Sequence, residues 1–308
     1  MAHLQSTTIS GSNANTGSLQ VTGSTVIFPL IESSLTSSFS GSGKMWINAD
    51  TQNLQYTLQS SLGTVNSPAR FISAYEAAAN LPVTLRGGGG FGEENAAVAA
   101  GGYTAPASTN ATYKFDGTSW STSGNKITTC NGESGVGVEN AGLVYGGAPA
   151  ANKTEEFNGN TWSSGGNASC PAFYRTCGGV QDGAILTGGR STNTSLSNTE
   201  EYNGSAWAAG ASLPVAKYAG ASFGTTNDFV NTAGYQVPSA TFYNNTYLYD
   251  GTAWKQGNSS LSLASYTGFG MGKSSYLGMR LGGYNGSLGY VSCTEEYNGM
   301  TWSVGETY

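Results

Sequence analysis

The phrase TEEYNGSAW at residues 199–207 decides the fold, because the chain repeats it. TEEFNGNTW stands at 154–162 and TEEYNGMTW at 294–302, while TYKFDGTSW at 112–120 and TYLYDGTAW at 246–254 keep everything except the paired glutamates. Asp-Gly and Asn-Gly are strong tight-turn pairs, since both residues tolerate positive φ. Each copy therefore predicts a strand, a hairpin turn and a second strand.

The copies recur at a nearly constant interval along the chain. Their tryptophans are separated by 42, 45, 47 and 48 residues, and a small pair ends a short apolar run 16 to 21 residues before each one. These pairs are Gly101-Gly102, Gly146-Gly147, Gly188-Gly189, Ala233-Gly234 and Gly282-Gly283. A further glycine precedes the first four pairs by nine residues and the fifth by ten. Four short antiparallel strands in about 45 residues predict one blade of a β-propeller.

With the glycine pair on the second strand, the aromatic residue on the third and the tryptophan on the fourth, the units resemble the kelch repeat. The match covers about residues 83–308 in five units, with Ala233 as a departure from the glycine pair. The resemblance implies a five-bladed ring in which the tryptophans pack between blades. These are Trp120, Trp162, Trp207, Trp254 and Trp302. No strand need be exchanged between the first and last blades, so hydrophobic packing of blade 5 on blade 1 is expected to close the ring.

Residues 1–75 have a different pattern. Alternating residues at 16–28 predict a strand, 44–58 predict a hairpin, and a short helical turn is expected around 74–79 before Pro82. GSLQVTGS followed by GKMWINADTQNLQYT resembles the N-terminal modules of virion structural proteins of tailed bacteriophages, notably appendage and fibre-like components. We therefore expect an all-β protein with a small β-rich anchoring module and linker at 1–75 and a five-bladed kelch-like propeller at 76–308.

The composition excludes several classes of function. Only 10% of residues are charged and the net charge is −6, so there is no basic surface for nucleic acid. No apolar stretch is long enough for a membrane span or matches an export signal. The cysteines Cys130, Cys170, Cys177 and Cys293 lack metal-site spacing and are expected to be free, packed thiols. Cys170 and Cys177 are close enough in sequence to be bridged, so a disulfide between them stays open as the alternative.

The paired glutamates do not predict catalysis. Adjacent strand residues point to opposite faces of a sheet, whereas a glycosidase needs two carboxylates that converge on one bond. His3 is the single histidine, and no metal-ligand cluster, nucleophile elbow or phosphate loop is recognisable. The arginines fall at no common blade position in the sequence. We expect no enzyme activity, no cofactor and no metal, and a structural role for the glutamates.

Binding residues are expected in the loops between the second and third strands, which are rich in Tyr, Asn, Ser and Thr. Tyr103, Tyr235 and Tyr284 each follow a small pair and so occupy one blade position. They either contact a ligand or pack at the blade surface or against a neighbouring subunit. Both alternatives remain open at the level of sequence.

The expected function is that of a non-enzymatic, phage-like virion structural protein. Its N-terminal module would attach to other virion proteins or to sister subunits, and its propeller would be displayed as capsid decoration or tail-fibre component, or bind a host-surface glycan. We expect a homo-oligomer on the virion surface, extracellular after cell lysis. The alternative is a soluble carbohydrate-binding or carbohydrate-active kelch propeller.

Overall fold

The structure, a computed structural model, describes residues 78–305 and, before them, only the backbone of four short strands. The chain divides into two compact units, Met1–Ala74 and Tyr75–Tyr308. In the first unit, β1 (Leu30–Ile31), β2 (Met45–Asn48), β3 (Asn53–Tyr56) and β4 (Ser67–Pro68) form one sheet in that order. The β2–β3 pairing is antiparallel, as expected for the hairpin.

Two expectations for the N-terminal part lie outside the described residues. The strand expected at 16–28 falls wholly within the part that is not described. The helical turn around 74–79 falls there up to residue 77, and Ala78 and Ala79 have no regular secondary structure.

The second unit consists of five sequential four-stranded antiparallel sheets. Blade 1 has β5 (Gly89–Glu93), β6 (Ala96–Ala100), β9 (Thr112–Phe115) and β10 (Trp120–Ser123), with a small hairpin of β7 (Tyr103–Thr104) and β8 (Ala107–Ser108) between β6 and β9. Blade 2 has β11 (Asn131–Val138), β12 (Ala141–Ala148), β13 (Thr154–Phe157) and β14 (Trp162–Ser164). Blade 3 has β15 (Thr176–Val180), β16 (Gly183–Thr187), β17 (Thr199–Tyr202) and β18 (Trp207–Gly210).

Blade 4 has β19 (Ala221–Thr225), β20 (Asp228–Thr232), β23 (Thr246–Tyr249) and β24 (Trp254–Gln256), with a hairpin of β21 (Tyr235–Gln236) and β22 (Thr241–Phe242) between β20 and β23. Blade 5 has β25 (Phe269–Ser274), β26 (Leu277–Asn285), β27 (Gly289–Tyr297) and β28 (Trp302–Val304). From blade 1 to blade 5, the first strands of successive blades contact one another. The predicted all-β, five-bladed β-propeller is confirmed.

The antiparallel order gives the propeller two different faces. The turns that join the first to the second strand and the third to the fourth strand lie at one end of each blade, which we call the turn face. The loops between the second and third strands and the linkers between blades lie at the other end, which we call the loop face. Each connecting segment is thus assigned to a face by topology alone.

The turns of the repeated phrase differ in detail from the expectation. Only the glycine has positive φ, for example 89° at Gly117, and the residue before it acts through its side chain. Asp116 Oδ1 accepts hydrogen bonds from the backbone N–H groups of Thr118 and Ser119 at 2.9 and 2.7 Å. Asn158, Asn203, Asp250 and Asn298 make the same contacts in the other blades. The Asp or Asn is therefore selected as a local acceptor.

The seams between blades pair one large side chain with one small residue. Phe91 of blade 1 covers Gly142 of blade 2, where an added Cβ would lie 2.0 Å from the Phe91 ring. The order is reversed at the third seam, where Gly178 of blade 3 faces the ring of Phe229 at 2.4 Å by the same measure. At the second seam, Val136 and Ala184 share the space. A large side chain in place of the small residue at any of these seams would overfill the space between the blades.

Each of the four seams between successive blades from blade 1 to blade 5 is also joined by a hydrogen bond from an indole N–H. Trp162 Nε1 donates to Thr112 Oγ1 of the preceding blade at 3.0 Å, and both residues are buried. The same bond joins Trp207 to Thr154, Trp254 to Thr199 and Trp302 to Thr246. The threonine that opens each repeated phrase is thus the acceptor for the tryptophan that closes the next.

The seam between blades 5 and 1 is built differently. Met271 occupies the position of Phe91 and Val136, yet it is 54% exposed. Trp120 donates instead to the carbonyl of Ala79 in the segment that leads into blade 1, at 3.0 Å. An exposed ion pair, Lys273 Nζ to Glu93 Oε1 at 3.1 Å, spans this seam on the turn face. The structure therefore differs from the expectation that hydrophobic packing closes the ring here.

Replacing Thr112 with valine should lower the free energy of unfolding by about 1–2 kcal/mol, because the buried indole N–H of Trp162 loses its acceptor while the side-chain volume hardly changes. Urea denaturation monitored by tryptophan fluorescence measures the change. Thr118→Val, at an exposed turn of the same blade, is the control and should change stability by less than about 0.5 kcal/mol. Equal losses in the two variants would contradict the role of the seam bond.

Candidate aromatic binding site on the loop face

On the loop face of each blade, antiparallel backbone pairing joins the segment that enters the blade to the residue that follows the small pair. The bridged residues are Arg86 and Tyr103, Asn131 and Ala148, Phe173 and Arg190, Tyr218 and Tyr235, and Tyr266 and Tyr284. Five of these residues are tyrosine, one is phenylalanine and two are arginine. The repeat therefore places aromatic and cationic side chains at one blade position.

The glycine pair makes this close approach possible. Gly283 has φ of 119°, and an added Cβ would lie 2.8 Å from the carbonyl oxygen of Tyr266. Gly234 has φ of 111° and faces the carbonyl of Tyr218 in the same way. Ala233, the departure from the pair, holds φ of 57° at the first position, where a side chain is disfavoured. The second position requires glycine because the linker backbone passes directly over it.

Seven aromatic side chains form a continuous cluster across blades 3, 4 and 5, which we call the aromatic surface; Tyr218 is buried beneath it and the other six are at least partly exposed. Its members are Tyr174, Tyr218, Tyr235, Phe242, Tyr266, Tyr284 and Tyr290. The rings of Tyr235 and Tyr266 are stacked with centroids 5.2 Å apart, and those of Tyr266 and Tyr284 meet edge to face at 5.7 Å. Tyr174 and Tyr290, at its two ends, are 45% and 87% exposed.

The β21–β22 hairpin holds the middle of the aromatic surface. It places the ring of Phe242 4.8 Å from that of Tyr235, and Tyr243 donates its hydroxyl hydrogen bond to Gln236 Oε1 at 2.7 Å. The backbone N–H of Val237 donates to Ser195 Oγ of blade 3 at 2.9 Å. The blade 4 hairpin is thereby tied to the loop of the preceding blade.

The phenol of Tyr266, at the centre of the aromatic surface, remains protonated at neutral pH. Burial raises the pKa of Tyr266 above its usual value, and the neighbouring hydroxyls of Tyr218 and Tyr284 raise it further. The aromatic surface presents apolar ring faces with hydroxyl groups at the edges of its tyrosine rings. Such amphipathic rings suit ligands that are apolar on one side and polar at the rim.

The three tyrosines predicted from sequence separate into two places. Tyr235 and Tyr284 both belong to the aromatic surface, where Tyr266 contacts each of them. Tyr103 lies in blade 1, with the Arg86 guanidinium 4.6 Å from its ring centroid. Beside it is a shallow depression of about 690 Å³ lined by Val83, Thr84, Arg86, Tyr103, Thr104 and Ala105.

The sequence interpretation missed Tyr218, Tyr266 and Phe242. A signal for the first two was present, because both lie three residues before the first strand of their blades, at the position of Arg86 and Phe173. Arg86 and Arg190 take part in the same backbone pairing in different blades. Arg86 is the linker residue of the pair in blade 1, and Arg190 is the residue after the small pair in blade 3. The hairpin that carries Phe242 had no counterpart in the repeat pattern of blades 2, 3 and 5.

The first glutamate of each pair has a structural contact in the interior. Glu155 accepts hydrogen bonds from the backbone N–H groups of Ile127 and Thr128, in the linker that enters its own blade. Glu200 and Glu295 accept in the same way from Ser169 and Ser262. All three glutamates are buried. The carboxylates thus fix the blade-to-blade linkers.

Each of these carboxylates has a buried cation nearby. Glu155 lies 3.8 Å from Lys126, and Lys126 also pairs with Glu133. Arg175 pairs with Glu200. Arg280 lies 3.6 Å from Glu295. Burial alone would raise the pKa of Glu200, but hydrogen bonds from Ser169 and Arg175 outweigh it and hold that pKa below its usual value. Burial dominates at Glu133 and raises its pKa to about 7.

Blade 4 has Tyr247 in place of the first glutamate. Its buried cation, Lys217, donates to the carbonyl of Ala233 at 2.7 Å and lies 5.1 Å from the Tyr247 ring centroid. Burial lowers the pKa of Lys217 to about 7. An aromatic ring thus replaces the carboxylate beside the lysine.

The second glutamate contacts the next blade. Glu156 Oε1 accepts from the hydroxyl of Tyr202 at 2.5 Å, and Glu201 Oε1 accepts from that of Tyr249 at 2.6 Å. Both of these glutamates are therefore half-buried at a seam. Neither glutamate of a pair is directed at a site shared with another pair.

Glu200→Gln should reduce the free energy of unfolding by about 3–5 kcal/mol, because it leaves the buried Arg175 guanidinium without its counter-charge. Chemical denaturation at neutral pH measures the loss. Glu94→Gln, at an exposed turn, is the matched control and should cost less than about 0.5 kcal/mol. Unchanged stability in Glu200→Gln would refute the structural role of the pair.

Among residues 78–305, no group of three His, Cys, Asp or Glu side chains is arranged to hold a metal ion. His3 lies outside the described residues. The four cysteines are free thiols, and burial raises the pKa of Cys177 to about 12. In the part of the chain that is described, no helix is both long and apolar enough to span a membrane.

The fold and this surface define a five-bladed β-propeller with an aromatic surface on one face. No known protein family and no curated protein matches the chain.

Proposed function

We propose that this chain is a non-enzymatic binding protein whose propeller engages host-surface glycans through the aromatic surface. The observation that carries the proposal is the run of seven contacting aromatic rings across blades 3 to 5. Sugars have apolar C–H faces and hydroxyl rims, so they stack on tyrosine rings and exchange hydrogen bonds with hydroxyl and amide groups. The Ser, Thr and Asn side chains of the neighbouring loops supply such groups.

We further propose that the five units are kelch repeats. Three features recur in phase: the glycine pair, the aromatic residue of the third strand and the tryptophan of the fourth strand. Each has a distinct structural role in the blade. The pair lets the linker cross, while the tryptophan and the aromatic residue fill the seam. These roles support the assignment independently of any single motif.

The proposed setting is the surface of a virion. Support comes from the resemblance of residues 1–65 to virion structural proteins of tailed bacteriophages. In this proposal the N-terminal module attaches to other virion proteins or to sister subunits, and the chain forms a homo-oligomer. The propeller is then displayed outward as decoration or as an adhesion module of a fibre.

A carbohydrate-active propeller is the rival candidate, and the contacts of its best acids weigh against it. Glu155, Glu200 and Glu295 are buried, bind linker backbone and lie near cations. A catalytic pair would have to approach one bond from two sides. These three glutamates belong to three different blades.

Mass spectrometry of purified phage particles should detect this chain in many copies. The expectation follows from the proposed role as a structural component of the virion. Detection only in infected-cell lysate, and not in particles purified by density gradient, would contradict the virion setting. It would leave the soluble carbohydrate-binding alternative.

Tyr290→Ala in the full chain should reduce binding on a glycan array by about tenfold, because one stacking ring at the exposed end of the aromatic surface is removed. Tyr276→Ala is the matched control, since Tyr276 is 71% exposed in the same blade but lies on the turn face. It should leave binding unchanged. Equal effects of the two substitutions, or no glycan bound by the unmodified chain, would contradict the proposal.

A further inference from the structure

We propose that the glycan bound by the aromatic surface is acidic, and that Arg190 holds its anionic group. This inference rests on the proposed function and names the ligand class for the same site. It follows from the separation of charge between the two faces, from the surroundings of Arg190 and from the polar groups beside it.

The antiparallel topology places the solvent-accessible acidic residues of the turns on the turn face. They are Glu93, Glu94, Asp116, Glu139, Asp182, Asp228 and Asp250, and all lie in, or at the end of, turns between the first and second or third and fourth strands. This face is therefore strongly negative. Lys273 and Lys114 offset two of these charges by pairing with Glu93 and Glu139.

The segments of the loop face contain no acidic residue at all within residues 78–305. None occurs in the linkers 78–88, 124–130, 165–173, 211–219 and 257–267, or in the loops 101–111, 146–153, 188–198, 233–245 and 282–288. Arg86, Lys153 and Arg190 lie in or beside these segments and are not fully buried. An anionic ligand therefore meets no carboxylate from these segments when it approaches the loop face.

Arg190 is the cation that belongs to the aromatic surface. Its guanidinium carbon lies 5.5 Å from the ring centroid of Tyr218, which in turn contacts Tyr235 and Tyr266. The backbone of Arg190 is fixed by two hydrogen bonds with Phe173, at 3.0 and 2.9 Å. The side chain thus starts from a rigid bridge position.

The charge of Arg190 is not compensated within residues 78–305. The two arginines that are deeply buried each face a glutamate, Arg175 with Glu200 and Arg280 with Glu295. Arg190, in contrast, pairs with no carboxylate in that part of the chain. Its buried Nε has no hydrogen-bond partner there either, a feature that it shares with Arg175 and Arg280. A planar guanidinium offers a fork of N–H donors that matches a carboxylate or a sulfate.

The loop that continues from Arg190 favours a sugar as the carrier of that anion. Residues 191–194, which follow Arg190 directly in the chain, are Ser-Thr-Asn-Thr and supply three hydroxyl groups and one amide. The stacked rings of Tyr235 and Tyr266 provide the apolar platform. An acidic peptide would use the arginine equally well but would make less use of the ring faces.

The test measures binding of the full chain to four immobilised polysaccharides by biolayer interferometry. Polygalacturonate carries carboxylates, its fully methyl-esterified form is the neutral counterpart, and dextran sulfate and dextran form the second pair. We expect tighter binding to an acidic polysaccharide than to its neutral counterpart by about tenfold, the contribution of one charge-assisted bidentate contact. The pair that shows the difference identifies carboxylate or sulfate as the anion.

Arg190→Gln should abolish the preference for the acidic polysaccharide, whereas Lys153→Gln should change it by less than about twofold, because nonspecific attraction to one surface charge is weak and screened. Lys153→Gln is the matched control, since it removes one positive charge from an exposed loop on the same face. Thermal unfolding of both variants verifies that the fold is retained.

Other outcomes separate this inference from the proposed function. Equal binding to acidic and neutral forms, or a preference that survives Arg190→Gln, would overturn the inference and leave glycan binding intact. Binding of none of the four polysaccharides by the unmodified chain would count against both. Arg190-dependent binding of polyglutamate without binding of any polysaccharide would assign the site to an acidic peptide and overturn the glycan class.

Discussion

The match of one large side chain to one small residue at the four seams from blade 1 to blade 5 is the constraint on which the propeller depends. Phe91 fits over Gly142, and Phe223 fits over Gly278, where an added Cβ would lie 2.1 Å from the Phe223 ring. The indole–threonine bond then fixes how far the blades can slide past each other. Because the seams set the positions of the first strands, they also set the spacing of the linkers on the loop face. The spacing of the linkers therefore brings the residues of the aromatic surface together.

The loop face depends on a second constraint, the crossing of each linker over its glycine pair. At Gly234 and Gly283 the backbone conformation and the nearness of a carbonyl both exclude a side chain. The same crossing brings Tyr218 to Tyr235 and Tyr266 to Tyr284. The glycine that makes this crossing possible therefore also brings the side chains of the aromatic surface together.

Much of the fold could be predicted from the sequence, because its determinants are local and repeat in phase. Phe157, the Asn158-Gly159 turn and Trp162 can be recognised without knowing any partner. The glutamate contacts could not be predicted in the same way, because each carboxylate finds its cation at a different sequence offset. Lys126 comes from a linker, Arg175 lies just before a first strand and Arg280 lies within a second strand.

The candidate site could also be predicted only in part, because some of its features follow from local sequence and others from how the blades pack. Tyr235 and Tyr284 follow the small pairs and were predicted as contact residues, but their joining through Tyr266 depends on how neighbouring blades pack. The segregation of charge is encoded in the sequence as well. It becomes visible only when the strand order assigns each acidic turn and each neutral loop to a face.

The exposed Met271 at the last seam has a consequence for how the propeller holds together. With four well-packed seams in five blades, the propeller behaves as a linear array with two end units, whose stability is a sum over nearest neighbours. Blades 1 and 5 each have one well-packed neighbour, so these end units are the first candidates for local opening. A ligand that rests on both Tyr235 and Tyr284 spans blades 4 and 5. Its binding energy would therefore also clamp blade 5 to the array.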